Sequence, residues 1–396
     1  MAYVYMCGFE TGSLTEANAA VTGTASIQTA VVHPGGGNYA LRCNPTVGNG
    51  YVTFVTLTQL PIDTFCSLRF YLYVAALPNV NITIYSGTST TLGLSNLQGL
   101  ILNANGTLSV TDHTGALSTS ALKLSTGQWY QISLFVNPIN GSNAVAVYVG
   151  GVLWSKLTSS ANNTCIYDTA SIGAAIRETA TCDIYIDDIL WDDGTTGGVV
   201  IGPGAQVILL PTADNSRGAW AGGAGGTTNL FAAVKNVPPV GQAPPGTNTT
   251  QIRNGSAAGN NNYIATFQSY NAAGVPVGAS INAVGTIITE GVEDTTNTVD
   301  GEVWIASNPT QGPINNLIPY GSSAGLALSG AVPDNWFTEV FQVATNPSVN
   351  LSQAPTATVR KTTAVADVVD VCFFGIYVDF NTKINMIDQM PVFFQG

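Results

Sequence analysis

Apolar and polar residues alternate with a period of two along most of this chain, and a helical period is nearly absent. The sharpest case is Cys182–Gly194, where Ile184, Ile186, Ile189 and Trp191 are interleaved with Asp183, Tyr185, Asp187 and Asp188. Such alternation marks a strand with one face on a core and the other in water. The same pattern, punctuated by Gly, Asn, Pro and Thr turns, predicts strands over Tyr3–Phe9, Ser26–Val32, Tyr39–Cys43, Gly50–Leu57, Phe65–Val74 and Asn81–Tyr85. It continues with a hairpin over Leu100–Val110, a strand at Trp129–Val136, a second hairpin over Ala144–Trp154, and strands at Ser171–Ala175 and Cys182–Trp191. Asn105-Gly106 and Gly150-Gly151 sit where tight hairpins need residues that tolerate positive φ. About a dozen strands in roughly 200 residues predict a two-sheet sandwich.

An aspartate-rich turn ends that last strand, and Asp192–Gly204 (DDGTTGGVVIGPG) reads as a Gly- and Thr-rich linker. Two domains are therefore expected, over residues 1–196 and 197–396. The second is predicted to be mostly β, with strands at Val207–Leu210, Tyr263–Tyr270, Ile281–Glu290, Gly301–Ala306, Trp336–Ala344 and Val371–Phe380. Ser322–Gly330 and Ala354–Ala366 could each hold a short helix, Gly218–Thr228 reads as a glycine-rich loop, and four prolines keep Val237–Asn248 extended.

Only 9% of the residues are charged, against a usual fraction of about 25%, so the surface must be polar but largely uncharged. The net charge of −12 is shared evenly between the two halves, and the pI is near 4.3. Neither half has a basic patch, which excludes a nucleic-acid backbone as partner and disfavours anionic membranes. No apolar run approaches the roughly 20 residues of a membrane helix. The start, MAYVYMCGFETG, has no basic region and no cleavable apolar segment, so export by a standard signal is not expected. A mean hydropathy of +0.24 suits a chain that hides surface between copies, and a symmetric homo-oligomer is the expectation. Cys7, Cys43, Cys66, Cys165, Cys182 and Cys372 lack CxxC spacing and read as buried small hydrophobes, with one pair in the first domain as the alternative.

Candidate chemistry is sparse. His33 and His113 lie in turn-like contexts, read as exposed loops, and no GxSxG elbow exists. Asp183, Tyr185 and Asp187 share one strand face, but no Glu joins them, and the first domain holds only Glu10, Glu16 and Glu178. A paired-carboxylate glycosidase is therefore not expected, and the protein reads as a non-enzyme. A calcium site is the more specific idea, because a hard cation wants several carboxylate oxygens. Asp187, Asp188, Asp192 and Asp193, or Glu10 with Asp187, would supply them; otherwise these are plain turn and edge aspartates. No other cofactor is expected. Glu290, Glu293, Asp294, Asp300 and Glu302 form the densest acidic cluster, and Gly222–Gly226 lacks the Lys-Ser/Thr of a phosphate loop. Tyr39, Trp129, Trp154 and Trp191 lie in strong strands and are expected to pack in the core, with sugar stacking as the alternative.

Four segments carry a resemblance: Gly8-Phe9-Glu10-Thr11-Gly12, Gly37-Asn38-Tyr39-Ala40-Leu41-Arg42, Thr126-Gly127-Gln128-Trp129-Tyr130 and Asp183-Ile184-Tyr185-Ile186-Asp187-Asp188-Ile189. Through them the first domain resembles the laminin-G-like, concanavalin-type jelly roll. The second domain is similar to a segment that follows this jelly roll in structural proteins of tailed-bacteriophage virions. Pro203-Gly204, Pro211-Thr212-Ala213-Asp214, Trp220, Asn229, Val237-Pro238-Pro239 and Trp336-Phe337-Thr338-Glu339-Val340-Phe341 carry that likeness. The resemblance implies an all-β protein on the outside of a virion, assembled in the host cytoplasm. Other capsid or tail proteins, and further copies of the chain, would be its partners. A host-surface glycan is the alternative partner, with the chain then acting as a receptor-recognition component.

Overall fold

The structure is a computed structural model and describes residues 3–17, 21–46, 48–55, 66–89, 94–112, 115–136, 143–158, 169–175, 181–192, 200–223, 225–239, 250–256, 261–292, 300–306, 318–321, 337–345, 349–361 and 368–381. Nearly all regular structure is antiparallel strand, with two single-turn 3-10 segments at Leu14–Ala17 and Leu230–Ala233. An eight-stranded sheet runs in the order Val152–Thr158, Asn143–Val149, Trp129–Val136, Cys66–Ala76, Asp183–Asp192, Ala40–Cys43, Ala25–Gln28, with Tyr3–Cys7 also on Asp183–Asp192. A seven-stranded sheet covers its inner face, and Phe70, Leu72, Ile132, Ile184, Ile186 and Trp191 fill the core between them. This is the jelly-roll sandwich. Strands from Ala205 onward build a six-stranded and a five-stranded sheet around a second core that includes Trp220, Tyr263, Phe267 and Phe374.

Both expected hairpins form, with positive φ at Gly106 and at Gly150 and Gly151. Trp129–Val136 has the predicted bounds. Ala354–Ala366 contains a strand, Thr356–Lys361, and no helix within its described residues. The glycine-rich loop includes a short strand, Ala221–Gly222, paired to Ile252–Asn254. Ser322–Gly330 lies outside the described residues. Cys7, Cys43, Cys182 and Cys372 are buried free thiols.

The central strand Asp183–Asp192 carries a bulge. Asp187 faces Tyr71 and Leu190 faces Arg69, so one extra residue is inserted, and Asp188 takes a left-handed φ of 50°. Before the bulge the core side chains are Ile184 and Ile186; after it they are Ile189 and Trp191. The parity change turns both Asp187 and Asp188 to the face away from the core.

That face is partly covered by the six-stranded sheet. Met6 and Leu190 meet Ala283, Ile287, Phe373 and Tyr377 in a third apolar cluster that joins the two sandwiches. Polar groups cross the same seam. Arg69 pairs with Asp379, Tyr377 donates to Glu16 and accepts from the Gly8 N–H at 2.7 Å, and Gln206 Nε2 donates to the Ile189 carbonyl at 2.8 Å.

Candidate functional site

Strand register builds a row across the outer face of the eight-stranded sheet. Tyr73 is opposite Trp129 on one side and Tyr185 on the other; Tyr185 is opposite Arg42, and Arg42 is opposite Ser26. Directly opposed residues share a face, so Trp129, Tyr73, Tyr185, Arg42 and Ser26 form one ladder perpendicular to the strands. Their strand neighbours Tyr130, Leu72 and Ile184 point into the core. Trp129 is therefore not a core residue, contrary to the sequence expectation; period-two alternation gives the core position to Tyr130. Trp191 is fully buried as expected, and Trp154 and Tyr39 pack partly exposed against the core.

The rings of Tyr73 and Trp129 are half-buried, with centroids 5.5 Å apart and planes inclined by 52°. Tyr185 stands edge-on to Tyr73 at 5.7 Å and is nearly buried. The Arg42 guanidinium lies 5.6 Å from the Tyr185 ring centroid and grips Asp183 with two hydrogen bonds, of 2.9 and 2.8 Å.

The next row, Gln131, Tyr71 and Asp187, is covered from two sides: Asp187 accepts the His33 N–H at 3.1 Å, while Gln131 donates to the Ile201 carbonyl at 3.1 Å and the Tyr71 hydroxyl accepts the Gly204 N–H at 3.2 Å. His33 stacks on Tyr71 at 3.6 Å, meets Trp129 edge-on at 5.7 Å, and pairs through Nδ1 with Asp188 Oδ2 at 2.6 Å. It is 3% exposed, so the expectation of an exposed loop histidine is corrected. The aspartates it contacts lie sequence-distant on the bulge, which is why turn context alone misled. His113 lies outside the described residues.

Asp187 and Asp188 are completely buried, and so is the neighbouring Glu16. Asp187 accepts the His33 and Asp188 N–H groups, Asp188 accepts the Gln206 N–H, and Glu10 accepts the Asn38 and Tyr39 N–H groups. A hard cation needs six to eight oxygen ligands, whereas these oxygens already face N–H donors. Asp192 is at the far end of the strand, roughly 13–16 Å from the bulge at 3.3 Å per residue, and Asp193 lies outside the described residues. Among the described residues no group of three or more His, Cys, Asp or Glu side chains is placed to hold a metal ion. The side chains of the Glu290–Glu302 cluster also lie outside the described residues.

Burial pushes the Glu10 and Asp187 carboxyls well above the usual carboxylate range, and neighbouring acids push the same way. Burial also raises Glu16, against the hydrogen bond from Tyr377, and lifts Asp370 to about 6 against the pull of Arg253. A carboxyl whose folded pKa exceeds its unfolded one contributes stability fully present below the unfolded value, near 4, and lost as pH rises through the folded value. The melting temperature is therefore expected to fall as pH rises above about 4, with the Asp370 part of the loss falling between about 4 and about 6. Calorimetry across that range checks it; a melting temperature that climbs with pH would mean the acids are ionised and fully compensated.

No protein-family model matches the chain, and no curated protein matches it. Solved structures do. The cellulose-induced protein Cip1 aligns over 49% of this chain and 100% of its own, at 17% identity and a TM-score of 0.37. The binding domain of Paraclostridial Mosquitocidal Protein 1 aligns over 56% of this chain and 58% of its own, at 13% identity and a TM-score of 0.38. Domain 4 of AbnA, a GH43 extracellular arabinanase from Geobacillus stearothermophilus in complex with arabinotriose, aligns over 49% and 93%, at 15% identity and a TM-score of 0.35. These are distant likenesses among β-sandwich proteins.

Proposed function

We propose that this protein is a glycan-binding β-sandwich protein that acts without turnover, displayed on the exterior of a bacteriophage particle. The ladder Trp129–Tyr73–Tyr185–Arg42 is the observation that carries the binding role. Aromatic faces attract the polarised C–H groups of a sugar ring, and the Arg42–Asp183 pair beside them offers N–H donors and carboxylate acceptors to sugar hydroxyls. Such a site pairs an apolar platform with a few fixed polar groups, as ligand sites generally do. The virion setting rests on the resemblance in the sequence. The non-catalytic reading rests on the acids: Asp187 and Asp188, next to the ladder, are completely buried beneath His33 and Gln206.

Titration of soluble glycans against the wild type, Trp129→Ala and Tyr73→Ala tests the role. Loss of either ring is expected to weaken binding by about 2 kcal/mol, roughly 30-fold. Val277→Ser, at a position 91% exposed, should leave binding unchanged. Equal affinities in all four proteins would sink the assignment, and depolymerisation of any bound glycan would sink the non-catalytic part.

A second reading, a homo-oligomeric capsid or tail subunit acting by assembly, draws on Leu117, Leu122, Val152 and Leu153. These exposed apolar side chains lie on Leu117–Lys123 and Val152–Thr158, which among the described residues are edge strands of the first sandwich. Particle images that put the chain on a symmetry axis, together with no glycan binding, would favour it.

A further inference from the structure

We infer that the ladder takes a single chain of a neutral polysaccharide and rejects both acidic glycans and flat crystalline polymer faces. This rests on the glycan-binding reading and narrows it to a ligand class. Charge supplies the first half of the argument. Arg42 is the cation of the row, and Asp183 holds it bidentately through Nε and Nη2. The pair stays accessible, with side chains 37% and 23% exposed. A uronate or sialate carboxylate arriving there would meet a guanidinium already neutralised, a competing Asp183 carboxylate, and a protein of net charge −12. A neutral diol meets no such opposition. One hydroxyl can accept from Arg42 while the next donates to Asp183.

Shape supplies the second half. A crystalline polymer face needs rings that are coplanar and jointly exposed. Here Trp129 is inclined by 52° to Tyr73, and Tyr185 stands at 83° to it. His33, edge-on to Trp129 and stacked on Tyr71, raises the loop as a wall along one side of the row. A broad flat surface cannot settle on rings set at such angles beside a wall. A single chain can lie along the row, which spans three strand spacings from Trp129 to Arg42, roughly 14 Å. That length suits an oligosaccharide stretch rather than one sugar.

The test uses the full chain against three sets of probes: soluble neutral glucans, mannans and arabinans; polygalacturonate and alginate; and crystalline cellulose and chitin. The wild type should bind at least one neutral soluble polymer and none of the others. Asp183→Asn keeps the side-chain shape but frees the Arg42 charge, so it should bind the acidic polymers at least tenfold more tightly than the wild type, with the gain erased by about 0.5 M salt. Arg42→Gln should lose neutral binding with no acidic gain, and serves should Asp183→Asn fold poorly. Wild-type binding to an acidic or crystalline polymer overturns this inference and leaves the glycan-binding reading standing. Neutral binding without an acidic gain in Asp183→Asn overturns the charge argument. No binding by the wild type to any probe overturns both.

Discussion

Asp379→Ala is expected to destabilise the protein by about 3–5 kcal/mol, because it leaves Arg69 as an unpaired charge in a buried seam. Both side chains are fully buried. Burial alone would push the guanidinium towards its neutral form, and the Asp379 carboxylate outweighs that and keeps it charged. Asp379 also accepts from Asn282 Nδ2 at 2.8 Å and Gln206 Nε2 at 3.1 Å, so the substitution strips partners from both sandwiches at once. The remaining hydrogen bonds of Arg69, to the carbonyls of Asp188 and Gly202 at 3.3 and 3.5 Å, supply no compensating charge. Denaturant unfolding measures the loss. Pairing Arg69→Met with Asp379→Leu should recover most of it, since apolar replacement of a whole buried pair is often neutral. A single-variant loss below about 1 kcal/mol would show that water reaches the pair, as at an exposed ion pair.

Gly37→Ala is the second large effect. A Cβ at Gly37 would sit 1.7 Å from Glu10 Cδ and Oε2, so the carboxylate must leave its pocket. Glu10 is 2% exposed and accepts the backbone N–H groups of Asn38 and Tyr39. Expelling it strands those donors at about 1–3 kcal/mol each, so a total of about 2–5 kcal/mol is expected. The same loop carries His33 against Trp129, so under the proposed role glycan affinity should fall along with the melting temperature. Adding Glu10→Ala to Gly37→Ala removes the clash without restoring the hydrogen bonds, and should rescue only part of the loss. Full rescue would assign the whole effect to steric overlap, and no effect of Gly37→Ala would mean the loop holds no load at this point.

Much of the site-bearing strand was legible in advance. The order Ile184, Ile186, Ile189, Trp191 already contains the change of parity that the bulge realises. That Asp187 and Asp188 leave the core face together follows from it. Reading those aspartates as wet, however, failed. Their shelter comes from His33 and from Gln206, which belong to a distant loop and to the other sandwich. Trp129 was misassigned for a related reason. Trp129 and Tyr130 are adjacent large aromatics, and composition favours both for a core; only the phase of the neighbouring Ile132 and Leu134 gives the inward place to Tyr130. The ladder itself was not legible, because Trp129, Tyr73, Tyr185 and Arg42 come from four strands whose order across the sheet the sequence does not state.

The sequence by itself determined the all-β class, the places of the hairpins and which side of most strands turns inward. These are local properties: alternation and turn chemistry act between residues a few positions apart. Tertiary structure alone decided which outward faces become covered and which polar groups meet. Arg69 and Asp379 are 310 residues apart, and only the stacking of one sheet on another puts them in contact. Among the described residues, Trp129, Tyr73 and Arg42 on that same face keep part of their surface exposed, and that is what the proposed ligand would meet.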